Sequence, residues 1–375
     1  MSANPIRIGM VGGGQGGFIG AVHRHALRLD GQYQLVAGAL SSDPERSKAS
    51  GLELGLDESR CYANYEDMAR MEAAREDGIE AVSIVTPNHL HVPVAMAFLK
   101  AGIHVICDKP LSSNFEMALA LKEVLADSSA KFFLTHNYSA YPMIRQARAL
   151  VASGALGDIR LVQVEYVQDW LSEDIESEGQ KQAAWRTNPS LSGGGAIGDI
   201  GTHAYQLASF VSGLTTKRIA AQMSTFVPSR RVDDDVQVML QFEGGAKGML
   251  WASQVAPGNE NSLKLRVYGS QGGLEWAQED PNYLWFTALG QPKQLHTRGG
   301  AAATEAANAV TRIPGGHPEG YLEAFASLYS EAADVIRGNT AATLVPMLED
   351  GLKGMAFIRA CQQSSSADSA WVSLA

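Results

Sequence analysis

The chain has little cysteine: Cys61, Cys107 and Cys361 are the only three in 375 residues. They are far apart, odd in number and match no metal-ligand spacing, which argues against a disulfide framework and a cysteine metal site. Three free thiols in a reducing compartment are expected instead. Long apolar runs are also lacking, and none approaches the about 18 residues that a membrane span requires. Positive charge is in deficit, with 30 Lys and Arg against 40 Asp and Glu and a net charge of -10. An acidic chain repels a phosphate backbone and an anionic bilayer alike, so neither nucleic acid nor a membrane surface is an expected partner. The histidines and carboxylates form no metal-ligand pattern, and no metal is expected. The N-terminus runs from Met1 through Asn4 and Pro5 straight into a strand-like segment. No secretory signal is read there, and the cytoplasm is the default location.

What is present is an ordinary globular composition, 45% hydrophobic and 19% charged, with length for two or three domains at about 100 to 200 residues each. The first third alternates strand-like and helical segments. Ile6 to Val11, Gln34 to Leu40, Ala81 to Val85, His104 to Cys107 and Lys131 to Thr135 are short apolar runs. Between them, Phe18 to Leu29, the stretch after Pro44, Val92 to Lys100 and Phe115 to Ala126 have helical spacing. Strands separated by helices predict a parallel, doubly wound sheet. After about Ser139 the style changes. One helix, Met143 to Ser153, is followed by long alternating segments at Ile159 to Val167, Val236 to Phe242, Ala246 to Gln254 and Leu263 to Tyr268. These predict a largely antiparallel sheet, with a hairpin at Gly244 and Gly245. The expected fold is therefore α/β: a Rossmann domain over residues 1–138 and an α+β domain over 139–375. A last helix from about Leu348 to Ala360 would pack back on the first domain, and the serine-rich tail after Gln362 would fray. Two irregular stretches, Glu173 to Ser192 and Arg298 to Gly316, are long enough to be functional or mobile.

The turn after the first strand reads Gly12-Gly13-Gly14-Gln15-Gly16-Gly17. Gly12, Gly14 and Gly17 satisfy G-x-G-x-x-G: one glycine for the tight turn, one for close approach of the pyrophosphate, one for packing of helix on strand. The pyrophosphate would sit on a helix N-terminus beside Gln15, where unpaired N–H groups favour negative charge. At the end of the second strand stand Ser41 and Ser42, then Asp43, with Arg46 one turn on. Serines do not repel a 2′-phosphate and Arg46 can pair with one, which tilts the expectation toward NADP over NAD. Asp43 and Ser42 serve equally well as caps of the next helix.

Three further segments complete a pattern. They are Thr86-Pro87-Asn88-His89-Leu90-His91, the run from Gly102 through Asp108-Lys109-Pro110, and Gly194-Gly195-Ala196-Ile197-Gly198-Asp199-Ile200-Gly201-Thr202-His203. In order and separation they resemble the glucose-fructose oxidoreductase, inositol dehydrogenase and rhizopine-catabolism family, Gfo/Idh/MocA. The second segment is similar to that family's Glu-Lys-Pro stretch, with Asp108 in place of the glutamate. The resemblance implies a catalytic group of Lys109, Asp199 and His203. It implies that Thr86, Pro87, Asn88, His91 and Lys109 lie at the nicotinamide, and that Trp185 and Arg186 contact the cofactor as in NADP-using members.

The chemistry suits these residue types. Oxidising a secondary alcohol removes a hydride from carbon and a proton from oxygen. The nicotinamide takes the first and the protein must take the second. A neutral imidazole suits that task, so His203 is the candidate base. Asp199, four residues earlier, would hold a neighbouring hydroxyl or orient the ring. Lys109 would favour negative charge on the oxygen. Asn137, Tyr138 and His317 are weaker candidates for contact with substrate. The resemblance implies an NAD(P)-dependent dehydrogenase acting on a sugar or an inositol-like cyclic polyol. A cofactor-sensing regulator and a redox-assisted glycoside hydrolase stay open as alternatives. The resemblance, together with the apolar strands around Val236 to Met249, implies a homodimer or homotetramer.

Overall fold

A computed structural model describes residues 4–339 and 343–374. The opening residues up to Ala3, read above as leading into a strand, lie outside the described residues. The chain forms two compact units, Met1–Asn137 with Phe325–Leu352 and Tyr138–Ala324 with Lys353–Ala375.

The first unit is built on five parallel strands, β1 (Ile6–Gly12), β2 (Tyr33–Ala39), β3 (Ala81–Val85), β4 (His104–Cys107) and β5 (Phe132–Leu134), in the order β2-β1-β3-β4-β5. Helices α1 (Phe18–Leu29), α2 (Pro44–Glu53), α3 (Tyr65–Ala73), α4 (His91–Lys100) and α5 (Phe115–Ala126) connect them. Every residue of β3 is buried, as in a parallel sheet covered on both faces. The strand order reverses between β1 and β3, the switch point at which such sheets take ligands beyond their C-terminal ends. The register pairs Gly12 with Val85, Val11 with Ala39 and Ile84 with Cys107. The turns that begin at Gly13, Leu40, Thr86 and Asp108 therefore leave the same edge of the sheet. Helix α3 was not legible in the sequence because its inward face carries a charge. Glu72 is buried, and it accepts from Arg60 Nε at 3.0 Å and from the Tyr62 hydroxyl at 2.7 Å.

In the second unit, helix α6 (Pro142–Ala152) precedes a nine-stranded sheet. Its strands are β6 (Ile159–Val167), β7 (Thr216–Ser224), β8 (Asp235–Phe242), β9 (Lys247–Ser253), β10 (Ser262–Gly269), β11 (Gly272–Ala277), β12 (Tyr283–Ala288), β13 (Gln294–Thr297) and β14 (Val372–Ser373). The order is β13-β12-β11-β10-β6-β9-β8-β7-β14, antiparallel except where β6 meets β9. Burial alternates along β8 and β9, the mark of a sheet with one face on the core and one toward solvent.

Two expectations are corrected. The tail after Gln362 does not fray: the last helix runs Leu348–Ser366, and β14 pairs with β7. The serines are the reason, since Ser364 Oγ and Ser365 Oγ accept from the backbone N–H groups of Ala221 and Met223 at 2.8 and 3.1 Å. The stretch from Arg298 to Gly316 is irregular but pinned. Buried Arg298 pairs with Glu319 at 2.9 Å and donates to the carbonyls of Ile313 and Pro314 at 2.8 and 3.0 Å. Among the described residues no helix is long and apolar enough to cross a membrane.

Candidate active site

Each unit holds one set of the residues singled out by the sequence. In the first unit the glycine turn closes β1. Gly12 has φ +81°, and a Cβ there would lie 2.8 Å from the Val85 carbonyl oxygen. The closest approach of helix to strand-end turn falls at Gly20 rather than Gly17: a Cβ on Gly20 would be 2.4 Å from Gly13 Cα, and one on Gly17 3.1 Å from Gly14 O. Gly17 is the N-cap of α1 and brings no side-chain cap, so the orphan N–H groups of that helix start are not taken by a capping side chain. A Cβ on Gly16 would meet nothing within 4 Å. An uncapped helix start under an open glycine turn fits a pyrophosphate. Gln15 sits at the rim, with its side-chain amide on Glu53 at 2.8 Å.

At the end of β2, Asp43 caps α2 by accepting from Arg46 N at 2.8 Å, and Ser41 Oγ accepts from Asp43 N at 3.1 Å. Ser42 and the Arg46 side chain are exposed. After β3, Thr86 and Pro87 lead into a single turn, Asn88–Leu90, and then α4. Thr86 Oγ1 is buried without a hydrogen-bond partner, as is Asn137 Nδ2. Unsatisfied polar atoms at these strand ends are what a bound ligand would satisfy. His91 is buried, with Nδ1 2.7 Å from the Pro110 carbonyl and Nε2 2.9 Å from that of Thr86. It ties the turn after β3 to the segment after β4. In that segment Asp108 Oδ1 accepts from Lys109 N at 2.8 Å and from Thr135 Oγ1 at 3.0 Å. Burial pushes the neighbouring His136 imidazole down to about 3, and the Lys109 ammonium acts in the same direction.

In the second unit a wide helical turn, Ile197–Gly201, feeds the helix Thr202–Ser212. Asp199 lies in the first and His203 at the start of the second. Gln254 Nε2 donates to Asp199 Oδ2 at 2.9 Å, and Arg186 Nε lies 3.4 Å from the same oxygen. The Arg186 guanidinium also stacks over the Trp185 ring, 4.3 Å from its centroid. His203 is buried, edge-on to Tyr138 with ring centroids 4.8 Å apart. The Tyr138 and Tyr166 hydroxyls are 2.6 Å apart, and Tyr166 donates to Asn261 Oδ1 at 2.8 Å. Burial pushes both phenols up, with Asp199 adding to the shift, so they stay protonated. His317 is exposed, with Nδ1 3.2 Å from the Pro314 carbonyl.

Comparison with known proteins assigns the chain to a family. Residues 6–136 match the model of an oxidoreductase family with an NAD-binding Rossmann fold, and residues 144–275 match the GFO/IDH/MocA C-terminal domain. The uncharacterized oxidoreductase YfiI of Bacillus subtilis is 35% identical, over 99% of this chain and 97% of its own. The chain belongs to the Gfo/Idh/MocA oxidoreductases. Among solved structures, an oxidoreductase from Sinorhizobium meliloti superposes with a TM-score of 0.92 at 54% identity, covering 99% of this chain and 100% of that one. An inositol dehydrogenase homolog from Azotobacter vinelandii, complexed with NADH and myo-inositol, superposes at 0.93 with 38% identity, covering 99% and 98%.

For this Gfo/Idh/MocA protein the sequence missed several residues that the structure places around Asp199 and His203. Tyr166 reads in sequence as one more alternating strand residue. Gln254 and Asn261 read as a strand end and a loop residue. No local signal marks them, since their roles come from pairing β6 with β9 and β10.

Proposed function

We propose that this NAD-binding oxidoreductase is a dehydrogenase that oxidises a secondary hydroxyl of a cyclic polyol or sugar. The observation that carries the reading is that Tyr138 meets both members of the motif: its ring lies 4.8 Å from that of His203, and it feels the charge of Asp199, a carboxylate itself held by Gln254. Bound NAD(P) supplies the hydride acceptor. Gly12, Gly14, Gln15, Gly17, Thr86, Pro87 and Asn88 would hold it, with His91 securing the Thr86 turn from behind. His203 takes the hydroxyl proton on its ring nitrogen. Asp199 accepts from a second, neighbouring hydroxyl and fixes the ring of the substrate. By the family resemblance alone, Lys109 would favour negative charge on the reacting oxygen. Tyr138 and Asn137 give further polar contacts. The complex of the Azotobacter vinelandii homolog with myo-inositol supports a cyclic polyol as the substrate class.

The choice of NADP over NAD rests on exposed Ser42 and Arg46 and on Ser41, together with Trp185 and Arg186. The NADH in the homolog's complex weighs toward NAD, and paired kinetics decide. We further propose a homodimer or homotetramer formed through the solvent-facing side of the nine-stranded sheet. Leu161, Met239, Met249, Trp251 and Trp285 are all exposed on it, and apolar groups gathered on one face mark an interaction surface.

The test is the absorbance of reduced nicotinamide with inositol isomers and common pyranoses, NAD and NADP supplied separately. Turnover of one polyol is expected. Silence across the panel, with cofactor binding shown separately, would overturn the dehydrogenase reading and favour a regulator or a redox-assisted hydrolase.

A further inference from the structure

The run Asp233-Asp234-Asp235 lies outside every motif discussed so far, yet all three residues are buried and two of the carboxylates accept from backbone. Asp233 Oδ1 accepts from Gly195 N at 2.8 Å and Oδ2 from Ile197 N at 2.7 Å, while the Asp233 carbonyl accepts from Ala196 N at 2.9 Å. Three consecutive amides therefore end on one residue. They are the amides that open the helical run through Asp199 to Ser212, and a helix start leaves such groups without partners inside the helix. The contact is too close for any side chain on the other side: a Cβ on Gly195 would be 1.8 Å from Asp233 O. A carboxylate at this end also complements the helix dipole.

Asp234 locks the run itself. Its side chain accepts from Phe226 N and Val227 N at 2.8 and 3.0 Å and pairs with Arg230 at 3.3 Å. Its carbonyl accepts from Gln254 N at 2.8 Å, and Gln254 is the residue that holds Asp199. The acidic run thus reaches Asp199 by two routes, through the start of its helix and through Gln254.

We propose that Asp233 is a positioning residue for Asp199 and His203: its carboxylate, supplied from the chain just before β8, caps the helical run that carries both and sets their height and rotation. Burial pushes the Asp233 carboxyl up to about 6, and the two amides pull it back toward the anion. Keeping an anion there has a cost that simple packing would not require. The inference rests on the roles proposed above for Asp199 and His203.

The experiment compares wild type with Asp233→Asn, Asp233→Ala and Gly195→Ala, which attacks the same contact from the other side. Three quantities are read: kcat and KM for the polyol, Kd for NAD(P), and amide hydrogen exchange by peptide. The expected result is a kcat lower by about a hundredfold in Asp233→Ala and Gly195→Ala, the scale of a roughly 1 Å misplacement. Asp233→Asn, which keeps one acceptor oxygen, should fall between. Cofactor Kd should stay within about twofold, and exchange should rise in the peptide containing 195–203 and nowhere else in the second unit. Unchanged kcat and exchange would overturn the proposal. So would a rise in exchange across the whole unit, which is the signature of lost packing. Absence of turnover in wild type sinks the dehydrogenase reading itself, and the exchange arm still reports whether Asp233 holds the helical run.

Discussion

Gln254 holds Asp199 by a side-chain hydrogen bond, Nε2 to Oδ2 at 2.9 Å. The amide can do this because its own backbone N–H is anchored on the Asp234 carbonyl. In Gln254→Ala the carboxylate loses that donor, and kcat/KM for the polyol should drop by about tenfold, the scale of about 1.4 kcal/mol. Gln254→Glu should be worse, because two carboxylates in contact cannot both ionise at little cost. If Gln254→Glu matched wild type in steady-state kinetics, Gln254 would have no part in fixing Asp199.

His203→Ala should lower kcat by about a hundredfold or more, the usual contribution of a general base, while the Kd for NAD(P) measured by fluorescence is unchanged. Full turnover in this variant would remove His203 from the mechanism.

How far these residues could be found in advance depended on whether their signal is local. The parallel sheet was legible because Ala81–Val85 and its neighbours are short apolar runs between helical spacings, and the glycine turn sits where the first run ends. Asp199 and His203 were singled out through one contiguous motif. Gln254, Tyr166 and Asp233 were not, since each acts on a residue 28 to 55 positions away and is brought there by strand pairing or loop closure. Strand β7, with Lys217, Arg218 and Gln222 among its residues, lacks the apolar alternation that reveals β8. The serine tail looked disordered by composition, but its hydroxyls find backbone donors on β7, information that lies in the partner strand alone.

Arg46 carries part of the proposed preference for NADP. Its side chain is exposed, and its backbone N–H already serves the Asp43 cap, so truncation should leave stability within about 0.5 kcal/mol. Arg46→Ala is expected to raise KM for NADP about tenfold and leave KM for NAD unaltered, as the loss of one guanidinium–phosphate pair requires. Equal effects on both cofactors would refute the role of Arg46 in choosing between them.

Met239 and Met249 face each other across β8 and β9 and are 53% and 61% exposed. Two lysines in their place would put like charges on the proposed interface at little cost to the monomer, since both positions already face solvent. Met239→Lys/Met249→Lys should shift the mass in light scattering to that of a smaller species with the circular dichroism spectrum retained. A wild-type chain that is monomeric at micromolar concentration would exclude the interface outright.

Acid should destabilise the first unit in a definite window. Burial holds His23 down to about 4 and His136 down to about 3, both below the usual 6.5. The unfolded chain therefore takes up these protons first, below pH 6.5. Stability conferred by the two neutral rings is full above 6.5, falls as pH drops below it, and is exhausted once the folded values are passed. Each ring contributes a slope of about 1.4 kcal/mol per pH unit inside its window. Asp233, raised to about 6, has the opposite sign: the folded state binds its proton first, so acid relieves the strain of its buried charge in the second unit. Burial lowers His91 and His104 of the first unit as well, so the rings outweigh one carboxyl and the thermal midpoint should fall between pH 6.5 and 4.5. In His136→Asn, where one of these rings is gone, the fall should be shallower whatever the variant's midpoint at pH 7. A midpoint independent of pH across this range, or an equal slope in the variant, would mean that His136 is not buried in its neutral form.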